Sequence, residues 1–226
     1  MTLPCTPTER PPGRHDLVFV SPQGWCEMLG TREDLAVDPL VARWSREGWP
    51  TIRRRAMPGE PTGLPLGMPL PPFAGKKRLS FVLQSDDIVS VARPPLLGAV
   101  CEAAPLAWQP TLDRLAELAV RHSVQARVFG SLAWGMLTGL DYVTGRSDLD
   151  LLLDVSGETD LDGLTAGVAA IEATAPMRID GELMRDDGAA VNWREYRAGA
   201  GQVLVKRIDG VSLIDRQQFI SERTMS

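Results

Sequence analysis

The chain has 226 residues, of which 44% are hydrophobic, and a formal net charge of −5. This length can bury one sizeable core or two modest ones. It contains no run of about 18 apolar residues, and its N-terminus lacks the basic-then-apolar pattern of a signal peptide. Its three cysteines are widely separated and lack the spacing of metal ligands. We therefore expect a soluble, cytoplasmic protein with free thiols and no membrane partner.

Charge is spread unevenly along the chain. Residues 1–100 carry 12 Lys and Arg against 10 Asp and Glu, whereas residues 101–226 carry 12 against 19. Nucleic-acid-binding proteins usually present a basic face, so the acidic second half argues against a nucleic-acid partner. The basic clusters lie in the first half, at Arg53-Arg-Arg55 and Lys76-Lys-Arg78. Such runs are often only solvated surface charge.

The first half predicts a small domain. Its expected elements are a strand ending at Val20, a helix within Gly24–Trp44, a strand at 51–55, a Pro- and Gly-rich loop from Pro58 to Pro72, and a strand at 76–83. We place the domain boundary near residue 100, which gives an N-terminal domain of residues 1–100 and a second domain of residues 101–226.

The second half alternates helix and strand patterns. A helix at 111–123 precedes a strand at 126–129, a helix opening at Gly130-Ser131, a strand through 147–154, a helix at 161–174 and a strand at 177–183. Strands at 202–207 and 211–214 flank Asp209-Gly210, which predicts a hairpin.

The most informative segment is Ser147-Asp-Leu-Asp-Leu-Leu-Leu-Asp154. Successive strand side chains point to opposite faces, so Asp148 and Asp150 should share one face while three leucines bury the other. Neighbouring carboxylates repel each other, and a divalent cation that both ligate is the usual remedy. This pattern predicts a Mg²⁺ site.

A second signal precedes it at Phe129-Gly-Ser131. A glycine where a strand passes into a helix lets a phosphate approach the backbone, and the helix start favours an anion. Either signal alone is weak, because most Gly-Ser pairs are turns and many Asp-x-Asp pairs are solvated. Together they indicate phosphoryl or nucleotidyl transfer.

A third acid is expected from the strand at 177–183, where Asp180 and Glu182 share one face. Either could approach the Asp pair, and we favour Asp180. With two Mg²⁺ ions about 4 Å apart, Asp148 and Asp150 would ligate the ions. Asp180 would also ligate metal and accept a proton from the attacking hydroxyl. Gly130 and Ser131 would hold the leaving phosphates. Arg146 and Lys206 are lesser candidates for substrate binding, and an ordinary surface role is at least as plausible for both.

These features resemble the polymerase-β-like nucleotidyltransferase superfamily over about residues 110–215. Longer motifs resemble a more specific family, the phosphoribosyl-dephospho-CoA transferases of malonate decarboxylase, also called malonate decarboxylase holo-acyl-carrier-protein synthases. The motifs that carry this resemblance are Pro11-Pro-Gly-Arg-His-Asp-Leu17, Leu64-Pro-Leu-Gly-Met-Pro-Leu-Pro-Pro72, Phe129-Gly-Ser-Leu-Ala-Trp134, Leu137-Thr-Gly-Leu140, Arg146-Ser-Asp-Leu-Asp-Leu151, Arg178-Ile-Asp-Gly-Glu-Leu183 and Trp193-Arg-Glu195.

The resemblance implies an α+β fold, with a nucleotidyltransferase-like mixed sheet and flanking helices beside a smaller N-terminal α/β domain. It implies that a serine of the malonate decarboxylase acyl carrier protein attacks the α-phosphate of 2′-(5″-triphosphoribosyl)-3′-dephospho-CoA and that pyrophosphate leaves. The family's metal-binding acids correspond to Asp148 and Asp150. The basic clusters lead us to hypothesise that the N-terminal domain docks the carrier protein.

Two alternatives remain open. The chain could transfer AMP or another nucleotide to a small molecule or protein, and release of pyrophosphate with ATP alone would favour that activity. It could also be a non-catalytic binding module that retains the fold. Such modules usually lose one carboxylate, whereas all three candidates are present here.

Overall fold

The computed structural model describes residues 10–221. The chain divides into two compact units between Pro94 and Pro95. The sequence analysis places this boundary near residue 100. Each unit combines helices with its own sheet, which confirms the α+β fold class.

Among the described residues, the first unit contains five strands and three α-helices. Its strands are β1 (Leu17–Val20), β2 (Thr51–Arg53), β3 (Leu64–Pro69), β4 (Arg78–Leu83) and β5 (Ile88–Ala92). Its helices are α1 (Pro22–Thr31), α2 (Glu33–Ala36) and α3 (Pro39–Glu47). The strands lie in the order β4-β3-β2-β1-β5, and every neighbouring pair is antiparallel.

The helix expected within Gly24–Trp44 is three short helices. Arg32 ends α1 and Asp38 caps α3, with its side chain accepting a hydrogen bond from the N–H of Leu40. Pro39 is the first residue of α3, where its missing N–H costs nothing but where it ends any preceding helix. The apolar spacing therefore marked the buried faces of successive helices and gave no sign of the breaks.

The expectation that Pro58–Pro72 forms only a loop is wrong, because β3 lies between β2 and β4. Leu66 and Met68 are fully buried in it. The carbonyl of Pro65 faces the β2 side, where it accepts a hydrogen bond from the N–H of Arg54. Since β2 is only three residues long, its ladder reaches Leu66 and Gly67 but neither Pro65 nor Pro69. Both prolines are paired in register with β4, and the stretch that pairs with β2 lies between them, so their missing N–H groups fall on the β2 side outside that short ladder.

In the second unit, the residues up to 221 form six strands and five α-helices. Its strands are β6 (Gln125–Phe129), β7 (Leu149–Asp154), β8 (Ile179–Met184), β9 (Ala190–Asn192), β10 (Gln202–Lys206) and β11 (Val211–Asp215). Its helices are α4 (Gln109–Arg121), α5 (Gly130–Thr138), α6 (Leu161–Glu172), α7 (Trp193–Arg197) and α8 (Arg216–Ser221). The sequence analysis did not predict β5, β9, α7 or α8.

The strands of this unit form a mixed sheet in the order β11-β10-β9-β8-β7-β6. Strands β7 and β8 are parallel and are connected by α6, whereas the other neighbouring pairs are antiparallel. The hairpin of β10 and β11 is confirmed. Its turn closes from the N–H of Arg207 to the carbonyl of Gly210, so Ile208 and Asp209 occupy the central positions.

The core lies on one face of the mixed sheet. Leu149, Leu151 and Leu153 of β7 are at most 2% exposed and pack in the main hydrophobic cluster with residues of α4 and α6. Because side chains alternate along a strand, Asp150 projects from the opposite face. On that face Leu152 packs in a smaller cluster with Met184 and Ala190. The alternation expected from the sequence is therefore present in β7.

Candidate active site

The site is built where three strands meet at one edge of the mixed sheet. Strand β6 ends at Phe129, which is paired with Asp150 near the start of antiparallel β7. Strand β8 runs parallel to β7, so both strands begin at the same edge. Any polar side chain near the start of β7 or β8 therefore lies beside the turn from β6 into α5.

Asp150 and Asp180 are register partners on the parallel strands β7 and β8. Partners in register on adjacent strands are about 4.8 Å apart and project from the same face. Both side chains are half-buried. The structure thus brings together two of the three acids singled out in the sequence.

Asp148 lies one residue before β7, next to Leu149, whose N–H donates to the carbonyl of Arg178. The Asp148 carboxylate is 39% exposed and lies 3.8 Å from the guanidinium of Arg178. It therefore lies just before the paired strands, where it is partly exposed to solvent. Arg146 is exposed in the turn closed by the hydrogen bond from the N–H of Ser147 to the carbonyl of Thr144.

Gly130 is in direct contact with the Asp150 carboxylate. A Cβ on residue 130 would lie 1.7 Å from Oδ2 of Asp150, and the φ angle of Gly130 is +64°, in the left-handed region. Both facts require glycine. The sequence analysis assigned this glycine to the close approach of a phosphate, and the structure adds that it accommodates a carboxylate.

Helix α5 starts at this glycine, after an apolar N-cap residue. Phe129 is its N-cap residue and makes no side-chain hydrogen bond to the first turn. Ser131 lies in that turn and is half-buried. The first N–H groups of a helix have no intrahelical acceptor and carry partial positive charge, so this turn can receive an anion.

Glu182 has a different environment from Asp180. It is paired in register with Leu152 rather than with an acid, and its side chain is 8% exposed. Lys206 donates to Glu182 Oε1 at 2.9 Å. The ammonium group compensates the charge of this buried carboxylate. Glu182 and Lys206 therefore form an ion pair, and Glu182 lies two residues after Asp180 on the same face of β8.

Sequence reasoning missed Asn192, the last residue of β9. Its Nδ2 donates to Oδ1 of Asp180 at 3.0 Å, and its Oδ1 accepts a hydrogen bond from the N–H of Arg194 at 2.9 Å. Asn192 therefore caps α7 and contacts an acid of the site at the same time. Its position directly before the Trp193-Arg-Glu195 motif was the available signal.

Arg194 was also missed as part of the site. Its guanidinium pairs with Glu172, donates to the carbonyl of Ile179 at 3.0 Å and stacks on the ring of Trp193. The hydrogen bond from Arg194 lowers the pKa of Glu172, and the hydrogen bond to Glu172 raises the pKa of Arg194, with smaller contributions from Asp180 and Asp148. A permanent positive charge therefore lies near these acids.

The donor set suits a hard cation, because all three acids supply carboxylate oxygens. Within residues 10–221, no group of three His, Cys, Asp or Glu side chains is close enough to hold a metal ion by itself. Mg²⁺ is usually bound by one or two carboxylates together with substrate phosphates. The adjacent Asp150 and Asp180 fit that kind of site rather than a complete protein cage.

The basic clusters of the first unit differ from each other. Arg53 donates to the carbonyls of Arg54 and Pro65, at 2.7 and 3.0 Å. Arg54 pairs with Glu60 and lowers its pKa to about 2. In contrast, the side chains of the second cluster, Lys76, Lys77 and Arg78, are exposed. This second cluster is the more accessible cationic surface.

Across the part of the chain that the structure describes, no helix has the length and apolar character needed to cross a membrane.

Comparison with known proteins covers both units. The family model described as the phosphoribosyl-dephospho-CoA transferase MdcG N-terminal domain matches residues 13–94, and the C-terminal domain model matches residues 96–217. A phosphoribosyl-dephospho-CoA transferase of Bradyrhizobium diazoefficiens is 63% identical over 226 residues, which is 100% of both chains. One from Xanthomonas campestris pv. campestris is 38% identical over 93% of this chain and 98% of the relative. One from Xanthomonas axonopodis pv. citri is 37% identical over 94% of this chain and 98% of the relative. No solved structure matches.

Proposed function

The chain belongs to the phosphoribosyl-dephospho-CoA transferase MdcG family, and from this premise we propose its reaction and the residues that perform it. The resemblance inferred from the sequence motifs is thereby confirmed over both domains. The proposed reaction transfers the phosphoribosyl-dephospho-CoA group from 2′-(5″-triphosphoribosyl)-3′-dephospho-CoA to a serine of the malonate decarboxylase acyl carrier protein. A phosphodiester forms and pyrophosphate leaves.

One observation carries the assignment of the site. Asp150 and Asp180 lie in register on parallel strands, beside a glycine turn that opens α5, whose N-cap side chain makes no hydrogen bond to the first turn. Acids next to an anion-receiving helix start suit a reaction in which negative charge moves between oxygens of a phosphate chain. The acids would repel that charge unless a cation lay between them.

Asp148, Asp150 and Asp180 are the proposed ligands of Mg²⁺. When bound, the metal would stabilise the charge that develops on the attacking and leaving oxygens. Two ions are the expected number for an in-line displacement of this kind. The exposure of Asp148 and its pairing with Arg178 leave it able to reorient toward a cation, because a pair this exposed is weak.

The other roles fall to the chain's own groups. Gly130 and Ser131 would receive the leaving pyrophosphate at the first turn of α5, and Arg146, on the turn just before Asp148, would contact an outer phosphate. The serine Oγ of the carrier would attack the α-phosphorus, and Asp180 would accept its proton as the bond to the pyrophosphate oxygen breaks. Lys206 is a lesser candidate for substrate binding, because its ammonium group is paired with Glu182.

Carrier protein and CoA derivative are the proposed partners, with no nucleic acid. The second unit is the acidic half of the chain, and an acidic half gives a nucleic-acid backbone no basic face to bind. Cys26 and Cys101 are free thiols, which supports a reducing compartment such as the cytoplasm.

The test is incubation of the protein with Mg²⁺, apo-carrier protein and triphosphoribosyl-dephospho-CoA, followed by intact mass of the carrier. The expected result is a mass increase equal to the phosphoribosyl-dephospho-CoA group, together with one pyrophosphate per modified carrier. A carrier whose attachment serine is changed to alanine should remain unmodified. A parallel incubation with ATP in place of the CoA derivative tests the alternative activity. A carrier that gains the mass of AMP would show that ATP, and not the CoA derivative, is the donor.

A further inference from the structure

The side chain of Asn192 joins the proposed active site to the start of α7. Its amide has one donor end and one acceptor end, and the two ends have different partners. Nδ2 donates to Oδ1 of Asp180, and Oδ1 accepts from the N–H of Arg194. Because a carboxylate can only accept and an N–H can only donate, the amide fits in one orientation. Asp180 is therefore held at one of its two oxygens.

We propose that Asn192 is a positioning residue for the transfer reaction, which fixes the carboxylate of Asp180 so that Oδ2 faces the reacting groups. The inference rests on the proposed function. Within residues 10–221, Oδ2 of Asp180 receives no hydrogen bond, so it is the oxygen left for a metal ion or a proton. A carboxylate with one oxygen held in this way cannot rotate freely away from its partner in register, Asp150.

The element that carries Asn192 is itself held against β8 on both sides of Asp180. On one side, the carbonyl of Ile179 accepts from Trp193 Nε1 and from the Arg194 guanidinium, each at 3.0 Å. On the other side, Gly181 lies flat against the indole, since a Cβ there would meet Trp193 Cδ1 at 2.8 Å. Asn192 is thus presented to Asp180 by a fixed strand-to-helix junction rather than by a loose loop.

Capping alone does not explain an asparagine at this position. Asn, Asp and Ser are about equally effective at the N-cap of a helix. Aspartate would set a second carboxylate beside Asp180, and serine is too short to replace an amide that spans two partners. The donor toward Asp180 is what distinguishes asparagine from the other good caps. This separates the positioning role from the structural one.

The same distinction provides the experiment. Asn192→Ser keeps a good cap and removes the amide donor. Asn192→Asp keeps the cap and the side-chain shape but replaces the hydrogen bond to Asp180 with repulsion between two carboxylates. The cap-loss control is Asp160→Ala, because Asp160 caps α6 in the same unit by accepting from the N–H of Gly163. Each variant is assayed for kcat, for KM of both substrates and for melting temperature.

We expect Asn192→Ser to melt near the wild-type temperature, to keep both KM values within about twofold and to lose about ten- to a hundredfold in kcat, as a misplaced reacting group does. Asn192→Asp should lose at least as much. Asp160→Ala should lower the melting temperature and leave kcat within about twofold of wild type.

Two outcomes would overturn the inference. One is an Asn192→Ser protein with wild-type kcat, and the other is a kcat loss that follows melting temperature equally in the Asn192 and Asp160 variants. These outcomes are distinct from failure of the proposed function. In that case the wild-type protein itself would transfer no phosphoribosyl-dephospho-CoA group to the carrier.

Discussion

Gly130 and Asp150 are so close that the hydrogen on the Gly130 Cα occupies the space where a methyl group would collide with the carboxylate. The distance from an added Cβ to Oδ2 of Asp150 would be 1.7 Å. Asp150 is held laterally by its strand, because it is paired with Phe129 on one side and with Asp180 on the other. A substituent on residue 130 must therefore displace either the carboxylate or the start of α5.

Gly130→Ala should consequently reduce transfer by at least about a hundredfold, since displacement of a reacting group by 1 Å can cost that much. The left-handed backbone of Gly130 adds strain of about 1–3 kcal/mol when a side chain is present. Gly139→Ala is the matched control, because Gly139 ends the same helix at φ +68° and has open space around its Cα. Both variants carry the backbone strain, so Gly139→Ala should lower the melting temperature and Gly130→Ala should lower it at least as much. An equal loss of activity in both would exclude the contact with Asp150 as the cause.

Asp148→Ala and Asp150→Ala should each abolish transfer while the fold persists. Removal of one carboxylate from a repelling pair can even raise stability in the absence of metal. Glu158→Ala is a suitable control, because this exposed acid lies in the connection from β7 to α6. Circular dichroism and the carrier mass assay together decide the outcome. A rate within a few-fold of wild type for Asp150→Ala would remove Asp150 from the site.

The positions of Asp150 and Asp180 could be predicted from the sequence, because both depend on strand periodicity and the sequence pattern shows that periodicity. Alternation of Asp and Leu in β7 predicts which side chains share a face, and the pairing of Asp150 with Asp180 requires only that β7 and β8 be parallel neighbours. The strand β3 was missed because its prolines argue against a central strand. Only the short length of β2 makes them tolerable, and that length is a property of the tertiary structure.

Asn192 and Arg194 were inaccessible for a similar reason. A three-residue strand such as β9 is too short to show a periodic pattern, and α7 has only five residues. Their contacts with Asp180 and Glu172 join segments 12 and 22 residues apart. Burial and charge compensation likewise decide that Lys206 faces Glu182, and neither property is visible in residue spacing.

Asp180 and Glu182 should behave differently on substitution. Asp180→Asn should reduce the single-turnover rate by about 10² to 10⁴, the usual range for a general base. Glu182→Gln should cost much less in rate. It should instead lower stability by about 1–3 kcal/mol, because it removes the charged partner of Lys206. Rapid-quench kinetics and urea unfolding on both variants test the assignment. If Glu182→Gln were the slower enzyme, the third acid would be Glu182.

The exposed cluster Lys76-Lys-Arg78 provides a test of carrier docking. Carrier proteins are typically acidic around the modified serine, and steering by surface charge acts mainly on association rate. Lys76→Glu with Lys77→Glu should raise KM for the carrier, reduce its dependence on salt and leave KM for the CoA derivative nearly unchanged. Salt matters because the Debye length is about 8 Å at physiological ionic strength.

The control for docking is Arg46→Glu, which reverses an exposed charge on α3 of the same unit. It should leave both KM values near those of wild type. Steady-state kinetics with each substrate varied in turn separate the possibilities. A defect confined to the CoA derivative would instead assign the lysines to its phosphates.

The ion pair of Glu172 and Arg194 predicts how stability depends on pH. The hydrogen bond from Arg194 lowers the pKa of Glu172 below its ordinary value of 4.5 in the folded protein. The unfolded chain therefore binds a proton at Glu172 at a higher pH than the folded chain does. The stabilisation is fully present above about pH 4.5 and is lost as the pH falls through the lower, folded-state pKa.

Glu172→Gln should accordingly lower the free energy of unfolding by about 1–3 kcal/mol at pH 7, the range for a hydrogen bond to a charged group. The difference from wild type should shrink as the pH is lowered from 4.5 toward 3, because wild type then loses the same interaction.

Glu47→Gln is the control, because it breaks the exposed pair with Arg46 and should change stability little at any pH. Urea unfolding followed by tryptophan fluorescence is a suitable measurement, since Trp193 lies 4.4 Å from the Arg194 guanidinium. A difference between wild type and Glu172→Gln that stays constant from pH 7 to pH 3 would show that the charge of Glu172 does not stabilise the contact of α6 with α7 through Arg194.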